Sequence, residues 1–114
     1  DATAVLARGE QYDIVLVDPP ALAKSRAQRM RAMGLHQALE EAAMRAVAPG
    51  GYLVASCCSH FISREDFLET LKRAARTVAR EVQMLGVYGA SPDHPELLAM
   101  PETAYLSCAL LRLL

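Results

Sequence analysis

Two short segments of the sequence carry residues that can do chemistry. The first is Asp18-Pro19-Pro20, which directly follows the apolar run Tyr12–Val17, and the second is Ser56–His60, with the sequence SCCSH. Proline fixes φ, so a diproline turn can hold nearby carbonyl groups in place to accept hydrogen bonds from a substrate amine beside the Asp18 carboxylate. A cysteine thiolate is intrinsically reactive and can act as a nucleophile. These segments therefore raise the hypothesis of a site that binds a polar substrate and attacks it covalently.

Both segments also have purely structural interpretations. Asp18 can bond local amides where a strand stops, because proline cannot donate to a strand ladder. Free cysteine is a common small buried residue. Neighbouring residues of a strand point to opposite faces, so Cys57 and Cys58 cannot both face a ligand. The residues alone leave open which thiol does so, with His60 or the ligand able to assist its deprotonation.

A basic segment, Lys24–Arg31, lies shortly after the diproline. It carries four positive charges in eight residues, a pattern that suits contacts with the phosphates of a nucleic acid. The same pattern is typical of a solvated loop and helix start. Positive charge near a helix N-terminus opposes the helix dipole, so helix stability does not explain the segment.

The other chemistry-bearing side chains have structural interpretations. His36 falls within a predicted helix and is interpreted as a partly exposed surface residue, and His94 is expected to bond within a turn. Cys108 lies in an apolar run and is expected in the core. The three cysteines have no metal-ligand spacing, and no metal site is predicted.

The elements that must position these residues follow from the hydrophobic pattern. Strands are expected at Tyr12–Val17, Tyr52–Cys57, Glu81–Tyr88 and Tyr105–Leu114. Helices are expected at Asp1–Arg8, from a capping box at Ser25–Gln28 to about Val47, and after an N-terminal cap at Ser63–Asp66. Gly34 is expected to kink or interrupt the second helix, and Ala48–Gly51 to end it.

The order of these elements predicts an α/β fold, one half of a doubly wound sheet. Strand–helix–strand units imply parallel strands with right-handed crossovers, and the last two strands, with no helix between them, are expected to pair antiparallel. The nearly continuous apolar run Tyr12–Val17 predicts a strand covered on both faces. In such sheets ligands bind beyond the carboxyl ends of the strands, where Asp18 and Cys58 both fall.

Length and composition narrow the class of protein. A chain of 114 residues suits one compact domain, and 53% hydrophobic residues are ample for a core. A net charge of −1 gives no overall field for nucleic acid or membrane. No apolar stretch is long enough to span a bilayer, and the first residues do not form a signal peptide. Unpaired cysteines favour a reduced, cytoplasmic setting.

Several segments together resemble a known family. The segments YDIVLVDPPALAKS, APGGYLVASCCSH, SREDF and PDHPELLAMPETAYL are similar to the C-terminal half of bacterial S-adenosylmethionine-dependent methyltransferases of large-subunit ribosomal RNA. The nearest group is the cytosine-carbon-5 RNA methyltransferases with an N-terminal PUA domain. The resemblance spans nearly the whole chain, and the combination of segments is more specific than the DPP block alone.

The resemblance implies a role for each matched residue. Asp18, Pro19 and Pro20 match the block that holds the target base near the methyl donor, and Asp18 and Pro19 are expected to border the cofactor. Lys24 matches the basic residue that follows this block. Cys58 matches the nucleophile of a serine-cysteine-serine block, and Ser59 matches its second serine.

The resemblance also has departures. Cys57 stands where the family block usually opens with serine, so two thiols are adjacent, and strand geometry favours Cys58 at the strand end. Ser107 stands where a lysine is common. No glycine-rich strand-to-helix turn precedes Tyr12, so this chain by itself is expected to bind the cofactor poorly.

The implied mechanism is covalent. Cys58 adds to carbon 6 of cytosine, Asp18 holds the base, and carbon 5 accepts the methyl group. The target base must be unstacked, which favours looped ribosomal RNA. The alternatives are a methyltransferase of the same fold with another target, such as guanine N7, or a non-catalytic RNA-binding module.

We expect residues 1–114 to form part of a methyltransferase catalytic domain whose cofactor-binding half lies outside this sequence. The Tyr12–Val17 strand is central in the family sheet and would have a bare apolar edge here. We therefore expect the chain to self-associate as a dimer.

Overall fold

The computed structural model describes residues 8–89 and 106–114, together with the single positions Ala4, Leu6 and Leu98. Ala4 and Leu6 are helical. Arg8, the last residue of the expected first helix, lies in a turn. The other residues of that helix, His94, and most of the PDHPELLAMPETAYL segment lie outside the described residues. No helix within the described ranges is long and apolar enough to cross a membrane.

The described strands form one mixed sheet with helices in the connections. The elements are β1 (Tyr12–Val17), α1 (Arg29–Ala46), β2 (Val47–Cys58), α2 (Arg64–Thr77), β3 (Val82–Tyr88) and β4 (Leu106–Leu113). The strand order is β1-β2-β4-β3. The parallel β1–β2 pair and the antiparallel β3–β4 pair confirm the prediction for these strands, whereas the parallel pairing expected of the next strand–helix–strand unit is wrong, because β2 and β3 are not neighbours. β4 also pairs antiparallel with β2 and therefore lies between β2 and β3.

Strand β2 begins earlier than the sequence pattern predicts. The Ala48–Gly51 segment, expected as a turn, belongs to this strand, and Gly50 has a φ of 81°. A Cβ atom on Gly51 would lie 2.7 Å from the carbonyl oxygen of Asp13. Only glycine permits this close approach of the two backbones, so Gly51 allows β2 to lie against β1.

The two helix starts differ in how well the sequence predicts them. The Ser63 hydroxyl accepts the backbone N–H of Asp66 at 3.0 Å, which confirms the cap of α2. Ser25 makes no side-chain cap bond, so that predicted capping box is wrong. The Gln28 side chain instead accepts the backbone N–H of Lys24 at 3.0 Å, and a 3₁₀ turn precedes α1. Helix α1 continues through Gly34 without interruption.

One face of the sheet packs on both helices, and the other is open in the described part of the chain. Val15 and Val17 are buried against the helices. Ile14 and Leu16, which alternate with them, are 61% and 73% exposed. The prediction that this strand is covered on both faces is therefore wrong for the described residues, because both helices lie on one side. Cys108 is only half-buried on the open face rather than in the core.

The core contains two ionisable residues that the sequence did not lead us to expect there. His36 is 2% exposed and Glu40 is 0% exposed, so the interpretation of His36 as a surface residue is wrong. Both belong to the buried stripe of α1, one helical turn apart. The His36 ring packs edge-on against Phe67 with centroids 6.4 Å apart. The stripe therefore carries polar residues into the helix–sheet interface.

Candidate functional site

The predicted site residues meet where β1 and β2 end. The two strands are parallel, so their carboxyl ends lie at the same edge of the sheet. The Cys58 thiol donates a hydrogen bond to the Pro19 carbonyl oxygen, with a sulfur–oxygen distance of 3.6 Å. The structure thus brings the two segments into direct contact although 39 positions separate these residues.

Asp18 and Cys58 lie at the same end of the paired strands. Leu16 pairs with Val54, and both belong to the open face. Because side chains alternate along a strand, Cys58 at the end of β2 shares the face of Val54, while Asp18 directly follows β1 at the same edge. Asp18 is exposed and Cys58 is half-buried, so both can be reached from solvent. A carboxylate and a thiol therefore lie on one accessible rim.

Cys57 points to the opposite side, into the core. It is 2% exposed, and its sulfur lies 3.7 Å from Nε2 of His36. Burial raises the pKa of the Cys57 thiol to about 12, with smaller contributions from the nearby Cys58 and Glu40. This thiol stays protonated at neutral pH and out of contact with the rim. Of the two adjacent cysteines, only Cys58 can meet a substrate there.

Ser59 holds two loops together. Its side chain is buried, donates to the carbonyl oxygen of Ala23 at 3.2 Å and accepts the backbone N–H of Phe61 at 3.3 Å. The hydroxyl thus joins the loop after the diproline to the loop after β2. Direct contact of Ser59 with substrate stays a prediction, whereas its bonds fix the loop beside the rim.

Pro20 and Lys24 lie on the loop between the rim and α1, and both are exposed. Lys24 borders a cavity of about 270 Å³ that extends along the start of α1. Its ammonium group makes no ion pair with any described residue. Of the predicted substrate-binding residues, Pro20 and Lys24 are therefore exposed, Pro19 is half-buried and Ser59 is buried.

A buried ionisable cluster behind the rim was missed by sequence reasoning. It consists of His36, Glu40 and Cys57, on the side of β2 opposite Cys58. Burial raises the pKa of Glu40 to about 8 and lowers the pKa of His36. Neither Glu40 oxygen has a hydrogen-bond partner among the described residues. The four-residue spacing within α1 was the signal that could have revealed this cluster. No group of three or more potential metal ligands converges within the described residues.

Solved structures with the same arrangement define the fold as part of a Rossmann-like methyltransferase sheet. A candidate SAM-dependent methyltransferase from Streptococcus mutans superposes with a TM-score of 0.78 at 14% identity over 98% of this chain and 29% of that chain. A methyltransferase homologue from Pyrococcus horikoshii gives a TM-score of 0.69 at 21% identity over 100% of this chain and 43% of that chain. At these identities the likeness shows the fold alone.

The curated proteins that match this chain by sequence have more specific names than the solved structures do. A ribosomal RNA large subunit methyltransferase from Deinococcus radiodurans is 36% identical over 105 residues, which are 92% of this chain and 25% of the relative. A ribosomal RNA large subunit methyltransferase I from Aeromonas salmonicida is 32% identical over 105 residues, which are 92% of this chain and 26% of the relative. The chain thus spans about a quarter of the length of the curated relatives that it matches. No family model matches the chain.

Proposed function

We propose that residues 1–114 form the C-terminal part of the catalytic domain of a cytoplasmic methyltransferase that acts on carbon 5 of cytosine in large-subunit ribosomal RNA. The names of the curated relatives support the class of enzyme and of substrate. The observation that carries the chemistry is the 3.6 Å contact of the Cys58 thiol with the Pro19 carbonyl. We further propose that the full-length enzyme has an N-terminal PUA domain, which lies outside this chain.

Cys58 is the nucleophile of the proposed reaction. Its thiolate forms a bond to carbon 6 of the flipped cytosine, and the electron pair of the 5,6 double bond makes carbon 5 nucleophilic. Carbon 5 then forms a bond to the methyl group as the sulfonium sulfur leaves with the electrons of its carbon bond. A base then takes the carbon 5 proton, and the electrons of that bond restore the double bond as the Cys58 thiolate leaves.

Asp18 and the diproline position the base in this proposal. The exposed Asp18 carboxylate accepts a hydrogen bond from the exocyclic amine of the cytosine, or from its ring nitrogen once the adduct carries a proton there, and so steadies the adduct. Pro19 and Pro20 keep the chain from continuing the β1 ladder. The Pro19 carbonyl orients the Cys58 thiol before attack. These groups occupy a rim that holds both an acid and a reachable thiol.

The same rim fits one side of an S-adenosylmethionine site. Asp18 is exposed and Pro19 is half-buried at the carboxyl end of a parallel strand, where ligands of such sheets bind. S-adenosylmethionine, when bound, supplies an electrophilic methyl group on a sulfonium centre. We propose that Asp18 and Pro19 border this cofactor, while the glycine-rich turn that holds it belongs to sequence outside the chain.

Covalent trapping tests the proposal. The full-length protein that carries this chain is incubated with S-adenosylmethionine and ribosomal RNA fragments that contain 5-fluorocytidine, which cannot lose a proton from carbon 5. We expect a denaturation-resistant protein–RNA adduct, which Cys58→Ala abolishes and the matched Cys108→Ala retains. Methylation without any adduct would favour another target such as guanine N7, and absence of cofactor binding would favour a non-catalytic RNA-binding module.

A further inference from the structure

The cavity beside Lys24 has the size of a small-ligand site. Its volume of about 270 Å³ lies just below the roughly 300–1,000 Å³ of typical ligand pockets. It therefore suits one nucleotide unit better than a whole cofactor. It lies between the loop that follows the diproline and the first two turns of α1, next to the proposed catalytic rim.

The lining of this cavity combines apolar and cationic groups. Leu22, Ala32 and Leu35 supply apolar surface, and Lys24 and Arg31 supply positive charge. Leu35 is 49% exposed, so its side chain can be reached by a ligand in the cavity. The residues contributed by α1 recur at three- and four-residue spacing, so they form one helical face.

Both cations of the cavity are available to a ligand. Among the described residues, neither the Lys24 ammonium nor the Arg31 guanidinium has an ion-pair or hydrogen-bond partner. Arg29, by contrast, forms an ion pair with Asp66 of α2. The sequence contains no aspartate or glutamate between Asp18 and Glu40. An anionic group in the cavity would therefore meet uncompensated positive charge.

The position of the cavity relative to Cys58 is fixed by hydrogen bonds. The Ser59 hydroxyl holds the carbonyl of Ala23, which directly precedes Lys24. The Gln28 side chain holds the backbone N–H of Lys24 at the other end of the loop. These bonds tie the loop that lines the cavity to the residue that follows Cys58.

We propose that this cavity binds the nucleotide next to the target base in single-stranded RNA. Its phosphate contacts Lys24 and Arg31, and its base lies on the apolar surface that includes Leu35. The inference rests on the proposed function, because it takes RNA as the substrate. The inference adds a second binding site for RNA next to the rim. The positive charges of this site bind the phosphate, and its apolar side chains pack against the face of the base.

Fluorescence anisotropy tests the charged part of the subsite. The probe is a fluorescein-labelled, cytidine-containing single-stranded RNA of 12 nucleotides, titrated with the chain at several salt concentrations. Removing one phosphate contact in Arg31→Gln should weaken binding about threefold and lower the slope of log affinity against log salt by about 0.7. Arg45→Gln is the matched control, because it removes the same charge from the exposed far end of α1.

A second variant tests the apolar part. Leu35→Ala should weaken binding at every salt concentration and leave the slope unchanged, because it removes apolar contact without removing charge.

Equal slopes for Arg31→Gln and Arg45→Gln, or unchanged affinity of Leu35→Ala, would overturn the subsite. If the subsite fails while 5-fluorocytidine still traps Cys58, the proposed function stands. If trapping fails while the slope changes as expected, the chain has an RNA-binding subsite without cysteine chemistry.

Discussion

Replacing Glu40 by glutamine tests whether a neutral carboxyl group lies in the core. Burial raises the pKa of Glu40 from 4.5 to about 8 in the folded chain. Between pH 4.5 and about pH 8, the Glu40 carboxyl group is therefore ionised in the unfolded chain and protonated in the folded chain. Stability from this position is fully present below pH 4.5 and is lost as the pH rises through about 8.

The magnitude follows from the size of the pKa change. Each unit of pKa change corresponds to about 1.4 kcal/mol of free energy. At pH 7 the raised pKa of Glu40 should therefore lower the free energy of unfolding by about 3 kcal/mol, relative to a side chain that does not titrate. Glutamine has a similar size and does not titrate. The free energy of unfolding of Glu40→Gln, minus that of the unaltered chain, should therefore grow by about 4 kcal/mol between pH 5 and pH 9.

Urea denaturation followed by circular dichroism measures this difference at each pH. Ionisations elsewhere occur in both proteins and cancel in the comparison. Glu41→Gln is the matched control, because Glu41 is only partly buried and accepts a hydrogen bond from Gln37 at 2.9 Å. Parallel stability curves for the Glu40→Gln and unaltered chains would refute the assignment of a neutral buried carboxyl group.

Three further outcomes are expected. Iodoacetamide at pH 8 should alkylate Cys58 well before Cys57, because burial keeps the Cys57 thiol protonated; equal labelling by peptide mass spectrometry would contradict the two orientations. Ser59→Ala should lower the free energy of unfolding by about 1 to 3 kcal/mol, since it leaves a buried loop carbonyl without its donor, and urea titration measures the loss. We propose that the chain dimerises through its exposed apolar edge, so Leu16→Lys should reduce the mass found by light scattering at high concentration; an unaltered chain that is already monomeric would contradict this proposal.

The predictions that the structure confirms depend on residues that lie close together in the sequence. Tyr12–Val17 is a strand with the predicted limits, because a nearly continuous apolar run ends at Asp18 and a diproline. Ser63 caps α2 because its hydroxyl needs only the amide three residues ahead. Local signals also explain the rim: Asp18 directly follows β1 and Cys58 ends β2, and parallel pairing of these strands brings both residues to one edge.

The wrong predictions concern features that depend on tertiary contacts. The interpretation of His36 failed because histidine is often exposed, whereas its place on the inner face of α1 fixes its burial. Ser25 has the sequence of a cap, but the Gln28 side chain bonds this loop differently. No local pattern could place β4 between two earlier strands, because its partners lie far away in sequence. The roles of the rim residues depend on substrate contacts that the sequence pattern alone does not define.

The insertion of β4 has a consequence for how the chain acquires its shape. β2 and β3 have no direct pairing, and β4, which follows both in sequence, supplies the hydrogen-bonding partner of each. During synthesis these two strands must wait for Leu106–Leu113 before their backbone groups are satisfied. Loss of that segment would therefore divide the sheet in its middle rather than shorten its edge, and would separate β3 from the half that carries Cys58.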